Sequence, residues 1–466
     1  MCAHMSRLRA YFFACALITL VLFFAFALPL SPLAQSPGVW GTPVNISEND
    51  TDSWRPGILL DEAGNVHVVW YDQVLGSAEG DIYYASRSSI DGWSDPQRLS
   101  ASGRESSRPV MAIGPDNTVH VVWQEGASGE SEILYTCQPF KGAWTPIRNI
   151  SGTDGDSTYP HMSTSGDGRI HVIWQERAQG LRSNIYHTCH YSSNLWTSPC
   201  DLSQSDGDST SAVILADARG TVHAFWQDRS SGNWEIFHAY RPSGGAWTAP
   251  QNISGSEGDS QGAAIASATS GALHLAWSES AVDGFLGDSD IFYTSRSPDG
   301  VWASTIENLS GCSGRADSPV VAVDAKGDAH VAWQYVKPPG FWNIYAVNRN
   351  SECKWSEPRL VSTFDGNAER PAILASQGVD LVWTGSVQGN WEICHAHGSS
   401  ARTWSPVANI SHTADRSSYP ALASDGAGAL HVVWEDTTPG HSDIHYTGSS
   451  AYAVGLPFVC GSSFEP

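Results

Sequence analysis

Arginine and tyrosine side chains recur at one position of a repeated segment, where together they can bind an anion. The position precedes a Pro in most copies and is occupied by Arg55, Arg108, Tyr159, Ser211, Gly262, Ser318, Arg370 and Tyr419. In a closed ring of repeats, five of these residues are neighbours: Arg370, Tyr419, Arg55, Arg108 and Tyr159. Guanidinium groups bind carboxylates bidentately, so Arg55, Arg108 and Arg370 predict a site for a carboxylate-bearing ligand. The alternative is that the three arginines form ion pairs with nearby acids.

Three tryptophans depart from the repeat near a predicted loop. Trp234, Trp342 and Trp391 each precede the acid or Asn that begins a predicted strand. An exposed indole ring can stack on the face of a sugar or on a partner protein. We therefore include them among the candidate ligand-binding residues, with packing in the core as the alternative.

Carboxylates crowd two sets of loops that open on the same face of a four-stranded unit. The first set is Asp52, Glu105, Asp156, Asp208, Asp259, Asp317 and Glu369. The second set, two residues after a recurring Trp, is Asp72, Glu125, Glu176, Asp228, Glu279 and Asp436. The pattern predicts a strongly acidic loop face. Their recurrence favours a structural role, in which the acids cap turns and accept hydrogen bonds from backbone amides. Ca²⁺ binding is the alternative, but the spacing matches no EF-hand loop, and we expect no cofactor.

Histidines recur as regularly as the acids. One stands three residues before the Trp in seven of the eight copies: His67, His120, His171, His223, His274, His330 and His431. Residues at one repeat position are spread around a ring and cannot converge on one ligand. We interpret them as hydrogen-bonded core residues.

The elements that must position these side chains are the strands of an internal repeat. Eight short apolar segments end at Trp70, Trp123, Trp174, Trp226, Trp277, Trp333, Trp383 and Trp434. Their spacing of 50 to 56 residues is typical of β-propeller blades. An apolar run, led by Pro in most repeats, precedes each segment, and an Ile-aromatic run and a segment that begins with Trp follow it. The unit therefore has four strands.

The two ends of the repeat region complement each other. Residues 40–47 supply a fourth-type strand before the first repeat, whereas the last repeat ends after its third strand at Tyr446. We therefore predict an all-β fold, a single eight-bladed β-propeller of four-stranded blades over residues 35–450. An N-terminal strand that completes the last blade closes it and removes an open edge. Residues 451–466 are predicted to form a C-terminal tail.

The first residues have the pattern of an export signal. Arg7 and Arg9 precede an apolar run over residues 11–30, followed by a region suited to cleavage after Ala34. Residues 1–34 are therefore predicted to be a signal peptide, with an uncleaved membrane anchor as the alternative. Either outcome predicts a secreted or cell-surface protein.

Seven cysteines follow the predicted signal, an odd number that leaves at least one thiol unpaired. Cys189 and Cys200 flank a predicted hairpin and are the one pair that we expect to form a disulfide. No CxxC spacing occurs, which gives a structural zinc site little support.

The charge balance limits the partners. Acidic side chains number 48 and basic ones 25, for a formal net charge of -23. Such a chain repels nucleic acid and anionic membrane surfaces. We expect a monomer whose partner is a glycan or an extracellular protein, with membrane contact only through an uncleaved anchor.

The unit resembles the sialidase-like BNR, or Asp-box, repeat of exported propellers, in which a third strand, a short Asp/Gly turn, a Trp, a Pro and an Asn-Ile-Ser-like strand recur. The usual box, Ser-x-Asp-x-Gly-x-Thr-Trp, is shortened here, as at residues 89–93 and 297–302. Sialidases hold their sugar acid with three Arg beside a Tyr nucleophile. The resemblance implies that role for Arg55, Arg108 and Arg370. It also implies Tyr419 or Tyr159 as nucleophile and Asp72 as acid.

A second, weaker resemblance concerns residues 228–237, which are similar to the repeats of TolB-type propellers, a family that implies protein contacts. Both resemblances bear on fold more than on function. The degenerate box favours an exported binding propeller that recognises glycan or protein through its acidic loop face. The alternative is a sialidase-like glycoside hydrolase acting on a carboxylate-bearing sugar.

Overall fold

The computed structural model describes residues 39–451 except for short stretches at 74–79, 101–102, 179–181, 192–194, 281–286, 312, 338, 351, 400–402 and 439. Within these residues the chain forms strands and turns without a helix, which confirms the all-β prediction. The part of the chain that is described contains no helix able to cross a membrane. The predicted signal at 1–34 and residues 452–466 of the predicted tail lie outside the described residues.

Each repeat begins with a hairpin of two long antiparallel strands. The first strands are Asp52–Leu60, Ser106–Ile113, Asp156–Thr164, Ser209–Ala216, Ser260–Ser267, Arg315–Val323, Ala368–Ala375 and Ser417–Ser424. The second strands, which carry the recurring Trp, are Val66–Gln73, Val119–Glu125, Ile170–Arg177, Val222–Asp228, Leu273–Ser280, Ala329–Val336, Val379–Val387 and Leu430–Asp436.

A long third strand and a very short fourth strand complete the repeat. The third strands are Gly80–Ser88, Glu132–Gln138, Ser183–Tyr191, Glu235–Arg241, Ser289–Arg296, Asn343–Arg349, Asn390–Ser399 and Asp443–Gly448. The fourth strands are Gln97–Arg98, Arg148–Asn149, Cys200–Asp201, Gln251–Asn252, Glu307–Asn308, Arg359–Leu360, Ala408–Asn409 and, from the N-terminus, Val44–Asn45. Three repeats add a further two-residue strand at Gly92–Trp93, Leu195–Trp196 and Thr403–Trp404.

The strands pair in chain order within each repeat. Three sheets have four strands, three have five, and the strands of repeats 5 and 6 form one eight-stranded sheet through a single parallel pair between Ser289 and Arg315. No sheet among the described residues closes on itself. The N-terminal strand Val44–Asn45 pairs with the last strand of repeat 8, with Val44 opposite Tyr446.

The core lies between the sheets of successive repeats. The eight recurring tryptophans are fully buried, and second strands such as Val66–Gln73 begin with an uninterrupted run of buried residues because both of their faces are covered. Trp174 of repeat 3 packs with Ile133 and Tyr135 of repeat 2. Trp70 of repeat 1 packs in the same way with residues of repeat 8, among them Val433, Ile444 and Tyr446.

The recurring histidines are buried in these cores, as predicted. His67 is hydrogen-bonded through Nδ1 to the hydroxyl of Tyr84 at 2.6 Å, and His431 bonds Tyr446 at 2.7 Å. In repeat 4 the tyrosine is replaced, and His223 bonds His238 at 3.1 Å. In six of the seven repeats the ring is therefore hydrogen-bonded to a buried polar atom inside its own repeat.

One hydrogen bond is repeated between neighbouring repeats. A carboxylate just inside the first strand accepts the backbone N–H that begins the third strand of the preceding repeat, as in Asp156 with Ser131 at 3.0 Å. The same bond joins Asp208 with Ser183, Asp259 with Trp234, and Asp52 of repeat 1 with Ser442 of repeat 8. The first strands of successive repeats also contact each other, and that of repeat 8 contacts that of repeat 1.

The expected disulfide between Cys189 and Cys200 is wrong, since both are free thiols. In the strand register Cys200 lies opposite His187, whereas Cys189 lies opposite His171. The sulfur of Cys200 accordingly approaches Nδ1 of His187, at 3.9 Å. The short fourth strand therefore places the two cysteines out of register for a bond.

The junction between repeats 8 and 1 can be tested by removing its carboxylate. Asp52→Ala leaves the buried N–H of Ser442 without a partner, which costs about 1–3 kcal/mol. Urea unfolding should show that loss, with Asp156→Ala as positive control and the exposed Glu105→Ala as negative control. If Asp156→Ala destabilises the protein and Asp52→Ala does not, the two ends do not meet in solution.

Candidate functional site

The candidate site is built on a bulge that recurs in the first strands. The residue that in most repeats precedes Pro adopts a left-handed conformation, and the antiparallel register breaks around it, for example between Trp54 and Gly57. The φ angles are 52° at Arg55, 53° at Arg108, 55° at Tyr159, 52° at Ser211, 67° at Gly262, 52° at Ser318, 57° at Arg370 and 54° at Tyr419. For a residue other than Gly this conformation costs on the order of 1 kcal/mol.

A side chain from the preceding repeat stabilises this strained residue. The N–H of Tyr159 donates to Oε1 of Gln124 at 3.0 Å, and the N–H of Arg370 donates to Oε1 of Gln334 at the same distance. Both glutamines stand directly after the recurring Trp. In repeat 8 that position is a glutamate, Glu435, whose Oε1 accepts the N–H of Arg55 at 2.8 Å.

The bulges place their side chains around one cavity of about 620 Å³. Seven of the eight bulge residues line it, namely Arg55, Arg108, Tyr159, Ser211, Gly262, Arg370 and Tyr419. The neighbouring prolines, small apolar residues and His161 form the rest of the wall. Burial lowers the pKa of His161 to about 4, so that ring is neutral. The structure therefore brings together the three arginines and two tyrosines that the sequence singles out.

The three guanidinium groups have no acidic partner. Among the described residues no carboxylate oxygen lies within 4 Å of a guanidinium nitrogen of Arg55, Arg108 or Arg370. Arg108 instead lies over the ring of Tyr159, and Arg370 over the ring of Tyr419, each at 3.9 Å from the ring centroid. Burial and then the neighbouring guanidinium of Arg55 lower the pKa of Arg108. The cavity therefore holds positive charge that no ion pair compensates.

Two residues behind this cavity escape the sequence analysis. Glu435 is only 2% exposed, and its Oε2 has no hydrogen-bond partner among the described residues. Burial raises the pKa of Glu435 to about 7, although the charges of Arg55 and Arg370 act in the opposite direction. Burial also raises the pKa of Tyr71, against the influence of Arg55. The signal was available, since Tyr71 and Glu435 stand directly after the recurring Trp, where four other repeats have Gln.

Asp72, the candidate acid, is not among the residues that line the cavity. It accepts hydrogen bonds from Ser53 Oγ at 2.6 Å and from Asn49 Nδ2 at 2.7 Å, and it is buried. Burial raises its pKa to about 7.

The prediction that the acids two residues after the Trp form an acidic rim is wrong. Five of the six are buried: Asp72, Glu125, Glu176, Asp228 and Asp436. Each accepts a bond from a Ser hydroxyl of the first strand, and in most repeats also from the recurring indole N–H, as Glu176 does from Ser157 and Trp174. In the other set, Asp52, Asp156, Asp208 and Asp259 bond backbone amides, as their recurrence predicts.

The three additional tryptophans do not line the cavity. Trp234, Trp342 and Trp391 are half-buried. An arginine lies over each ring, Arg229 at 5.9 Å, Arg315 at 5.7 Å and Arg416 at 5.5 Å from the centroid. Their role in ligand binding stays a prediction.

One group of potential metal ligands occurs among the described residues, formed by the buried His171, His187 and Cys189. Its imidazoles are already engaged with each other, His171 Nδ1 lying 3.1 Å from His187 Nε2. The indole N–H of Trp247 donates to His187 Nδ1 at 3.2 Å, which places the proton of His187 on Nε2. That nitrogen cannot bind a metal in this tautomer, so the group fits a core hydrogen-bond chain.

Comparison with known proteins bears on the fold. No protein-family model and no curated protein matches the sequence. Among solved structures, the polysaccharide lyase Uly1 is similar with a TM-score of 0.51 and 11% identity, over 84% of this chain and 89% of the lyase. At that identity the likeness concerns the fold alone, and it places the described residues in the β-propeller class.

Two other solved structures are less similar. A PL25 ulvan lyase bound to -[GlcA(1-4)Rha3S]- has a TM-score of 0.46 and 13% identity, over 90% of this chain and 94% of its own. The GH93 α-L-arabinofuranosidase of Fusarium graminearum in complex with arabinobiose has a TM-score of 0.38 and 12% identity, over 63% and 92%.

The buried carboxyl of Glu435 should make stability depend on pH. Because its pKa in the folded protein, about 7, lies above the ordinary value of 4.5, the wild type loses stability as pH rises from about 4.5 through 7. Glu435→Gln keeps an acceptor for the Arg55 N–H without the charge. Unfolding in urea should show a gain over wild type that is small at pH 5 and grows to about 1–3 kcal/mol at pH 8.

The reciprocal substitution is the matched control. Gln124→Glu introduces the same carboxyl at the equivalent position of repeat 2 and should add the same kind of pH dependence. A Glu435→Gln variant whose stability follows the wild-type pH profile would show that Glu435 is not buried as described.

Proposed function

We propose that this protein is an exported eight-bladed β-propeller that binds a carboxylate-bearing glycan in the cavity lined by the bulge residues. The blade count is supported by the eight repeats, each with the same order of strands. Closure is supported by the strand pair Val44–Asn45 with Asp443–Gly448 and by the carboxylate bond between Asp52 and Ser442. Export is supported by the signal pattern at residues 1–34.

The observation that carries the proposed function is the unpaired positive charge of the cavity. The chain has a net charge of -23, so acids are abundant, yet none pairs with Arg55, Arg108 or Arg370 among the described residues. Like charges that are placed side by side repel each other, and an anion between them relieves that repulsion. Each guanidinium can donate two parallel hydrogen bonds to a carboxylate, which fits this ligand better than a point charge would.

The walls of the cavity suit a sugar. Its volume of about 620 Å³ lies within the range of roughly 300–1,000 Å³ that is common for small-molecule sites. The rings of Tyr159 and Tyr419 lie at the wall beneath the guanidiniums of Arg108 and Arg370. Aromatic rings with a hydroxyl and small apolar residues can pack on a sugar ring and bond its substituents.

Sialidase-like hydrolysis is the second candidate, and Glu435 is the residue that favours it. A carboxyl with a pKa of about 7 is suited to proton transfer near neutral pH. Glu435 and Asp72 are both absent from the residues that line the cavity, however. Binding is therefore the better supported function.

Affinity measurements test the binding site. Isothermal titration calorimetry with the methyl glycoside of N-acetylneuraminic acid and with methyl glucuronide should show binding, whereas neutral methyl glucoside should not bind. Replacing any one of Arg55, Arg108 and Arg370 by Ala removes a charged hydrogen bond and should weaken binding at least about tenfold. Arg359→Ala removes the same charge from an exposed fourth strand and should leave the affinity unchanged.

Two results would contradict the binding proposal. Equal affinity for the neutral and acidic glycosides would show that the guanidiniums do not select the ligand. Turnover of a fluorogenic sialoside that is lost in Arg55→Ala would replace the binding function by the hydrolase.

A further inference from the structure

A second cavity lies at the opposite ends of the strands from the bulges, between repeats 5 and 6. Its volume is about 430 Å³. Four basic side chains line it: His274 and Arg296 of repeat 5, and Lys326 and Arg349 of repeat 6. The hydroxyls of Ser270, Ser295 and Ser297 complete its polar wall, and no carboxylate is among the lining residues.

Arg296 is a buried charge without an acid. It is 7% exposed, and among the described residues it has neither an ion pair nor a hydrogen bond from its guanidinium. Its one close aromatic contact is the ring of Tyr240, at 4.4 Å from the centroid. An ionised group that is removed from water requires a compensating partner, and the protein supplies no anion for this one.

His274 also has an unpartnered polar atom that is nine-tenths buried. The ring is 6% exposed, its Nδ1 bonds the hydroxyl of Tyr293 at 2.7 Å, and its Nε2 has no partner. Burial, followed by the charge of Arg349, lowers the pKa of His274 to about 4, so the ring is neutral. With the Tyr293 hydroxyl donating to Nδ1, the proton of the ring lies on Nε2 and is free to bond an anion.

The other repeats show what is missing here. The turn between the first and second strands begins with Asp in repeats 1, 4, 6 and 8. In repeats 1, 4 and 6 that carboxylate lies close to the histidine: Asp61 and His67 at 3.5 Å, Asp217 and His223 at 3.4 Å, Asp324 and His330 at 3.6 Å. In repeat 5 the same turn, with the same backbone bonds, begins with Ala268. The acid is absent from the turn that borders the cluster of positive charge.

Arg349 adds a further donor. Its Nη2 lies 3.6 Å from Glu307, which compensates part of its charge, but its buried Nε–H has no hydrogen-bond partner. Lys326 is exposed at the rim and forms no ion pair within the described part of the chain. The donors come from separate strands and turns around the cavity, which suits an anion with several oxygens better than a planar carboxylate.

We propose that this cavity binds a phosphate-type dianion, either the free ion or a phosphate monoester, between Arg296, His274, Arg349 and Lys326. The anion takes the place of the carboxylate that the turns of repeats 1, 4 and 6 supply. This site is separate from the cavity of the bulge residues and does not depend on the function proposed for it.

The test restores the missing acid. Ala268→Asp recreates the turn of repeats 1, 4 and 6, so the variant should fold, and it places a carboxylate where the anion would bind. Titration calorimetry with inorganic phosphate is performed on the full-length chain carrying Arg55→Gln and Arg370→Gln, so that the other cavity does not contribute. One equivalent of phosphate should bind, and Ala268→Asp should weaken binding at least about tenfold.

Two further variants separate the site from general charge effects. Ala427→Asp adds the same charge to the exposed turn of repeat 8 and should leave phosphate binding unchanged. Arg296→Gln should weaken binding as Ala268→Asp does, with circular dichroism to confirm folding. Equal phosphate affinity in Ala268→Asp and Ala427→Asp would overturn the proposal, as would tighter binding of acetate than of phosphate.

Glucose 6-phosphate distinguishes the two sources of the ligand. Tighter binding of the ester than of inorganic phosphate would identify a phosphate monoester as the ligand, and tighter binding of the free ion would identify the ion. In both cases the affinity should fall in Ala268→Asp. Absence of binding by both compounds would contradict the site.

Discussion

The left-handed bulge in each first strand is the constraint on which the candidate site depends. A regular strand alternates its side chains between two faces, and the extra residue of a bulge breaks that alternation. Here it places the bulge residue at the wall of the cavity in seven repeats. In repeats 1, 3 and 7 the conformation is stabilised through the backbone N–H by Gln or Glu of the preceding repeat. Because the side chain itself is not required for packing, this position can be Arg, Tyr, Ser or Gly without changing the fold.

Buried polar groups in the same sheets are matched within the repeat. In six repeats a Ser of the first strand lies opposite an acid two residues after the Trp, as Ser53 lies opposite Asp72. In repeats 6 and 7 both members are replaced together, by Ala316 with Tyr335 and by Ala368 with Gly385. Retaining only one member would leave a buried hydroxyl or carboxylate unsatisfied, which explains the paired change.

The sequence was sufficient for the four-stranded unit and for the core role of the histidines, because both follow from periodicity. The same comparison of repeats singled out the arginines and tyrosines of the cavity. The comparison of repeats could not show that Asp72 is buried. An acid at the end of a predicted strand gives the same sequence pattern whether its carboxylate is solvent-exposed or hydrogen-bonded to a Ser hydroxyl. Glu435 gave no such signal among the recurring acids, because it stands one residue after the Trp and not two. The predicted disulfide between Cys189 and Cys200 was wrong because sequence spacing does not determine the register in which their two strands pair.

The central claim is that three guanidiniums without acidic partners meet around one cavity in order to bind a carboxylate. A crystal structure of the protein with the methyl glycoside of N-acetylneuraminic acid tests it most directly. The account predicts the carboxylate oxygens within about 2.7–3.2 Å of guanidinium nitrogens from at least two of Arg55, Arg108 and Arg370. A structure in which these arginines are paired with protein carboxylates, or in which the glycoside lies outside this cavity, would contradict it.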